Sequence, residues 1–261
     1  MLAQRRVLFL VSAFNGLSQA VYSRFAPQAK ASKLLVGVKL EAALAFKPDL
    51  VLCPFLLDYL PPELFVSTPC LVFHPGPADR GGPSSLAWAV LRGEQAFGAA
   101  VFAANAAWDQ GPLWAQCNLT LQPGSLAWNY RRLMVPAALE LTQQALSRLN
   151  QGQPPLQRPA GRYEPQLKDA DLAFSWEEPA NGILQKIWAG DNQPGAKTWF
   201  QGQECRCYAA QLGQGQGKPG QVLAQEQGRL LIACGQGALW VSRIQPLGGQ
   251  KSRACLSWET A

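Results

Sequence analysis

The sequence predicts an α/β protein: an open, mostly parallel sheet followed by a small β-barrel. Three observations carry that reading. Short, wholly apolar runs such as "DLVLCPF" and "PCLVFHPGP" alternate with helical segments in the first half, as expected of parallel strands covered on both faces. Near Asn150 the composition turns polar and proline-rich in "NQGQPPLQRPAGRYEPQLKDAD", which reads as a linker. Beyond it, short strands punctuated by glycine, "WFQGQECRCYAAQ" and "GQVLAQEQGRLLIACGQGALWVSRIQPLGG", suggest a small barrel. The domain boundaries follow: 1–150 for the open-sheet domain, 151–170 for the linker and 171–261 for the barrel.

Taken in order, "RRVLFLVSAFNGLSQAVYSRF" reads as strand, loop and helix, with Asn15-Gly16 at the break and Leu17, Val21 and Phe25 at helical spacing. Its two arginines and apolar run also mimic a secretion signal, and from sequence both readings stand. "KLLVGVKL" is a weak strand, and "EAALAF" a short helix before "DLVLCPF". "FGAAVFAANAAWDQGPLWAQCNLTL" predicts paired strands around a turn at Asp109-Gln110-Gly111. "AWNYRRLMVPAALELTQQALSRLN" predicts a long amphipathic helix that Pro136 kinks. After the linker, "LAFSWEEPANGILQKIWAGD" predicts a short helix, and "QLGQGQGKPGQ" a flexible loop.

Composition narrows the function classes. Hydrophobic residues make up 48% and charged residues 15%, so the chain buries a core. The net charge of +6 is dispersed: 12 basic and 8 acidic residues in 1–150, 11 and 9 in 151–261. No basic block marks a nucleic-acid tail, whereas a mild positive field suits an anionic small ligand. No run approaches the roughly 18 apolar residues of a membrane span. Seven scattered cysteines argue against a disulfide framework and for reduced thiols in the cytoplasm. Cys205-Arg206-Cys207 puts two thiols on one strand face. With a single histidine, the chain lacks the ligand spacings of a zinc site, so no metal is expected.

That histidine is His74, in "LVFHPGPADRGGPSSLAWAVLRGE". It ends an apolar run, where ligands of open α/β sheets gather. Asn15, Pro54-Phe55 and Asp109 also follow apolar runs, so the four positions are expected to converge. His74 and Asp109 can together supply a proton relay and an oxyanion stabiliser for acyl transfer, Asp109 orienting the ring and His74 donating to the oxyanion. Gly76, Gly81 and Gly82 let the loop approach a ligand. Pro83 with Ser84 or Ser85 starts a helix whose amino end could hold an anion of the substrate.

These segments resemble a known family. "FHPGPADRGGPSSLAWAVLRGEQAFGAAVFAANAAWDQGPLWAQ" is similar to the core of the folate-dependent formyltransferases, in which a His precedes an Asp-x-Gly turn by about the 35 positions that separate His74 from Asp109. "AFNGLSQAVY", "KPDLVLCPFL", "HPG…DRGGPSSLAW" and "DQGPLWA" resemble, more narrowly, the amino-terminal half of the HypX/HoxX-type hydrogenase maturation proteins. "DADLAFSW", "ILQKIWAGDNQPGAKTWFQG" and "GALWVSRIQPLGGQ" resemble the OB-type barrel that follows the catalytic domain in such enzymes.

The resemblance implies N10-formyltetrahydrofolate as donor, with the pterin held along Pro54, Phe55, Leu56 and Leu57 and near Asp109. It implies a small acceptor, coenzyme A in the HypX type, towards a carbon monoxide ligand for [NiFe]-hydrogenase. A separate crotonase-like half or hydrogenase maturation proteins are the implied partners. Most formyltransferases carry Asn two residues before the His. Here Val72 stands there, so Asn15 is the nearest replacement donor. Arg131 matches, loosely, a helix arginine that contacts the acceptor or the folate tail; Arg6 is a weaker candidate of the same kind. A methionyl-tRNA formyltransferase, or a folate-binding protein that has lost catalysis, are the alternatives. Val72 and the lack of a basic insertion near residues 30–45 disfavour tRNA.

Overall fold

A computed structural model describes residues 2–191 and 193–257. The chain divides into two compact units. The first comprises, of the described residues, 2–85, Gln95–Leu121 and Asn129–Gln166; the second comprises Leu86–Glu94, Gln122–Trp128 and 167–257.

In the first unit β1 (Arg6–Val11) leads into α1 (Gly16–Phe25), β2 (Ala31–Val36), α2 (Leu40–Phe46), β3 (Leu50–Cys53), α3 (Pro62–Phe65) and β4 (Cys70–His74). A two-residue strand β5 (Arg80–Gly81) and α4 (Ser85–Leu91) precede a hairpin of β6 (Ala96–Ala103) and β7 (Leu113–Thr120). The sheet order is β2-β1-β3-β4-β6-β7. Its first four strands run parallel, and β6 and β7 run antiparallel to their neighbours. The arginine-flanked run near the amino terminus is therefore a buried central strand. Val7 to Val11 are fully enclosed because β1 pairs on both sides and is covered on both faces.

The predicted long helix is real but broken. α5 (Leu126–Asn129) passes through one π-helical turn, Tyr130–Met134, into α6 (Val135–Asn150). Pro136 sits in the first turn of α6 and brings no N–H. The missing donor coincides with the widened π-helical turn just before it. One face of α6, with Ala138, Leu141, Ala145 and Leu146, is buried, and the helix packs on β4, β6 and β7.

The segment expected as a linker behaves differently in its two halves. Leu156 bridges to Leu113 at the start of β7, and β8 (Arg162–Tyr163) runs parallel to β5. Residues 156–164 are thus a strap of the first unit. The strap escaped notice because two-residue strands leave no periodicity to read.

The second unit holds α4, α7 (Asp169–Leu172) and α8 (Ala180–Gly190) with β9 (Ala196–Phe200), β10 (Gln203–Gly213), β11 (Val222–Glu226), β12 (Arg229–Ala233), β13 (Ala238–Pro246), β14 (Ser252–Arg253) and α9 (Ala254–Ser257). Its sheet is antiparallel, in the order β11-β12-β13-β10-β9, with β14 on β13. No pairing between β9 and β11 closes it among the described residues. Cys205 and Cys207 are both buried on one face, as strand alternation requires. The Gly/Gln-rich loop is tied down: the Gly220 N–H donates to Ala233 O at 2.9 Å.

Asn15 caps α1, its Oδ1 accepting from the N–H groups of Leu17 at 3.1 Å and Ser18 at 3.0 Å. Asn15→Ala is expected to lower stability by about 1 kcal/mol, in the range of lost amino-terminal caps. Urea denaturation checks this; an unchanged midpoint would show that the cap is worth nothing here.

Candidate functional site

His74 is the last residue of β4 and is 3% exposed. Strand alternation puts it on the same sheet face as Val72, and the antiparallel pairing sets Val72 opposite Phe102 and His74 opposite Ala100. The imidazole lies 5.9 Å from the Phe102 ring, centroid to centroid. Both ring nitrogens face acceptors. Nε2 donates to the Arg80 carbonyl at 2.5 Å, and Nδ1 lies 3.5 Å from Asp109 Oδ2. The expected His–Asp pair therefore forms across 35 positions of sequence. The expected donation from His74 to a substrate oxyanion does not match this geometry, because the Nε2 proton is already given to Arg80.

Asp109 reaches this position through close backbone packing. It has a positive φ of 49°, a conformation that Asp tolerates better than most residues. A Cβ on Gly111 would come within 1.7 Å of the Ala103 carbonyl, so the turn closes onto β6 only because position 111 is glycine. Asp109 Oδ2 also accepts from the Gly82 N–H at 2.8 Å. Gly82 has φ +110°, and a Cβ there would come within 2.1 Å of the Glu164 carbonyl. Glu164 N donates to Gly81 O at 2.7 Å, and Arg162 N to Asp79 O at 2.8 Å. The strap thus presses the 79–82 loop against Asp109.

Beside the pair opens a small cleft of about 60 Å³, lined among others by Leu56, Tyr59, Val72, Phe102, Trp108 and Asp109. The rings of Tyr59 and Trp108 are 6.2 Å apart. Apolar and aromatic walls with a carboxylate at one end suit a flat heteroaromatic ligand with a polar edge. Ser12 fixes one rim. Its hydroxyl donates to Asp58 at 2.6 Å and accepts from the Leu57 N–H at 2.7 Å, while its own N–H donates to Phe55 O at 2.8 Å.

Of the segment expected to hold a ligand, Leu56 lines this cleft, Leu57 is exposed, and Pro54 lines a separate small cavity with Val21 and Phe73. Phe55 serves through its carbonyl at Ser12. Asn15 caps α1: its oxygen accepts from the Leu17 and Ser18 N–H groups and the Ser18 hydroxyl, and its side chain also bonds Tyr130, whose hydroxyl burial pushes up to about 12 against that bond. The cap uses the oxygen, not the amide N–H groups that an oxyanion donor would use. Arg6 is a correction. Its guanidinium donates twice to Phe46 O, at 2.9 and 2.7 Å, and covers the Phe46 ring, so it anchors α2. Arg131 lies exposed on the π-helical turn. Ser84 precedes α4, and Ser85 is buried with its hydroxyl unpartnered. Tyr59, Trp108, Phe102 and Ser12 were missed, because an aromatic or serine at a strand end carries no spacing signal of its own.

Cys53 and Cys70 lie on the strands beside Val72. Burial pushes the Cys70 thiol up to about 12, and burial with the neighbouring Cys70 pushes Cys53 well up. Neither is a ready thiolate. Among the described residues no three His, Cys, Asp or Glu side chains gather as a metal site, and no helix is long and apolar enough to cross a membrane.

A parallel-rich α/β unit with a His–Asp pair beside an apolar cleft stands in one chain with a separate antiparallel unit. Residues 166–259 of the chain match the family described as formyl transferase, C-terminal domain. More narrowly, the chain is similar to the hydrogenase maturation factor HoxX of Bradyrhizobium diazoefficiens, 30% identical over 253 residues, 93% of this chain and 45% of that protein. HypX from Aquifex aeolicus, in its complex with tetrahydrofolic acid, superposes with a TM-score of 0.92 at 28% identity, over 97% of this chain and 47% of that one. The chain thus spans about half the length of these relatives. It is also 28% identical over 229 residues to methionyl-tRNA formyltransferase of Carboxydothermus hydrogenoformans, covering 84% of this chain and 73% of that protein.

Gly82→Ala is expected to destabilise the chain by at least about 2 kcal/mol, from a strained φ and a collision with backbone. Chemical denaturation measures it; a loss below about 0.5 kcal/mol, the range of neutral surface changes, would mean that the strap yields freely.

Proposed function

We propose that this protein transfers a formyl group from N10-formyltetrahydrofolate to a small acceptor, with the thiol of coenzyme A as the first candidate. The observation that carries the reading is the Asp109 carboxylate, held by His74 and Gly82 at the end of an apolar, aromatic-walled cleft. The superposition on HypX in complex with tetrahydrofolic acid supports folate as the donor class.

An acceptor's nucleophile adds to the formyl carbon, and its proton must leave as the bond forms. Asp109 is the cleft-facing base for that proton. His74, shielded from solvent, acts through Asp109: it places the carboxylate. The pterin lies along Leu56 and the Tyr59–Trp108 pair, and the amine nitrogen departs with a proton returned from Asp109. Arg131 remains the candidate contact for an anionic tail, and Ser84 and Ser85 for an anionic part of the acceptor. We read the antiparallel unit as an OB-like barrel, the site of action as the cytoplasm, and the product as passing towards a carbon monoxide ligand for hydrogenase, by way of a crotonase-like partner. A tRNA acceptor is the second reading, favoured by the 73% coverage of a methionyl-tRNA formyltransferase.

A mass-spectrometric time course tests both readings. The protein is incubated with N10-formyltetrahydrofolate and coenzyme A, methionyl-tRNA or neither. The expected result is transfer to coenzyme A, and Asp109→Asn and His74→Gln are expected to slow it about 10²–10⁴-fold, the range for positioned acid–base groups. Unchanged turnover in Asp109→Asn would remove the carboxylate from the mechanism. Transfer to tRNA alone would establish the second reading.

A further inference from the structure

We propose that Tyr59 and Trp108 determine which donor the protein takes, by working as a clamp: their rings part and hold the pterin between them. This rests on the folate reading above. As it stands the cleft is smaller than such a ligand needs. It measures about 60 Å³, whereas sites that enclose a small molecule measure roughly 300–1,000 Å³. A ligand therefore enters only where part of the wall gives way.

The parts of that wall differ in what holds them. Val72 and Phe102 pair across β4 and β6, so the sheet side is fixed. Leu60 is buried in the core. Asp58 is bonded by Ser12, Asp109 by the Gly82 N–H, and Asn105 Oδ1 accepts from the Ala107 N–H at 3.1 Å. Tyr59 and Trp108 are 45% and 48% exposed. They come from two loops, one after β3 and one between β6 and β7. Their rings meet at 6.2 Å with 56° between their planes. Both are flanked by anchored residues, Tyr59 by Asp58 and Leu60 and Trp108 by Asp109. The backbone therefore stays in place and the rings swing by side-chain rotation, which exposed residues complete within nanoseconds.

The slot so formed selects a flat ring. A tilted aromatic pair is a weak contact, and a planar ring inserted between the two side chains gives each of them a face to stack on. Two stacked contacts of roughly 3.5 Å set the rings about 7 Å apart, close to the separation they already have. The pyrimidinone ring of a tetrahydropterin is flat and fits such a slot. Adenine, carried by coenzyme A, is the other flat ring of the proposed reaction. The position of the base decides between them. Trp108 precedes Asp109 directly, so a clamped ring lies beside the carboxylate. N10 is one methylene group from the pterin, whereas the thiol of coenzyme A lies at the far end of a long arm from its adenine.

The test measures binding of tetrahydrofolate and of coenzyme A by anaerobic calorimetry, in the 261-residue chain and its Tyr59→Leu, Trp108→Leu and Trp108→Phe variants. Each leucine variant is expected to raise the tetrahydrofolate Kd about 5–100-fold, the range for one aromatic side chain stacked on a base. The coenzyme A Kd is expected to change no more than a few-fold. Trp108→Phe, which keeps a smaller stacking face, should fall between wild type and Trp108→Leu. A crystal structure of the wild-type tetrahydrofolate complex is expected to show the pyrimidinone ring between Tyr59 and Trp108. Thermal melting separates lost stacking from lost folding, and the wild-type complex decides where a variant melts early. An unchanged tetrahydrofolate Kd in both leucine variants overturns the proposal, as does a complex in which the two rings still touch each other. Loss of coenzyme A binding with tetrahydrofolate binding intact overturns the pterin as occupant in favour of adenine. Wild-type protein that binds no tetrahydrofolate overturns the folate reading itself, and that outcome is visible without any variant.

Discussion

One carboxylate oxygen holds the site together. Asp109 Oδ2 meets the His74 ring and the Gly82 N–H, and so joins the end of β4, the loop before α4 and the turn between β6 and β7. Each partner arrives by a different route, and each route is tight. Gly111 closes the turn on Ala103, Gly82 slips beneath the Glu164 carbonyl, and the strap holds residues 79–82 from outside. Removing the carboxylate would leave a buried imidazole nitrogen and a backbone N–H without their acceptor, so position 109 serves fold and chemistry together.

Much of this was legible in the sequence, for a physical reason. Buried parallel strands need unbroken apolar runs, and such runs are visible. Their carboxyl ends mark where a site can form, so His74 and Asp109 could be paired from sequence before any coordinate was known. What stayed hidden depends on contacts that spacing does not encode. The strap reads as linker because its order comes from backbone pairing to β5 and β7. Asn15 follows β1 as a catalytic donor would, but an Asn before a helix is also an ordinary cap, and its oxygen serves that cap. Arg6 looks like a ligand contact until its Nε and Nη2 both turn out to donate to the Phe46 carbonyl.

The corrected roles redistribute the labour of the site. With His74 turned inwards, the polar groups of the cleft wall are the Asp109 carboxylate, an acceptor, and the side chains of Tyr59, Asn105 and Trp108, which carry donors. Catalysis of acyl transfer rests on a charge placed where it develops in the transition state. Val72 is a small apolar part of the cleft wall, opposite Phe102.

The thiols bear on the order of events. A two-step transfer through a formylated cysteine requires a thiolate at the cleft. Cys53 pairs directly with Val72 across β3 and β4 and would be the nearest cysteine for the task. Yet it is buried, and its thiol, like that of Cys70, is pushed up by that burial. At neutral pH both stay protonated and behave as small apolar side chains. The sheet therefore supplies packing, not a nucleophile, at these two positions.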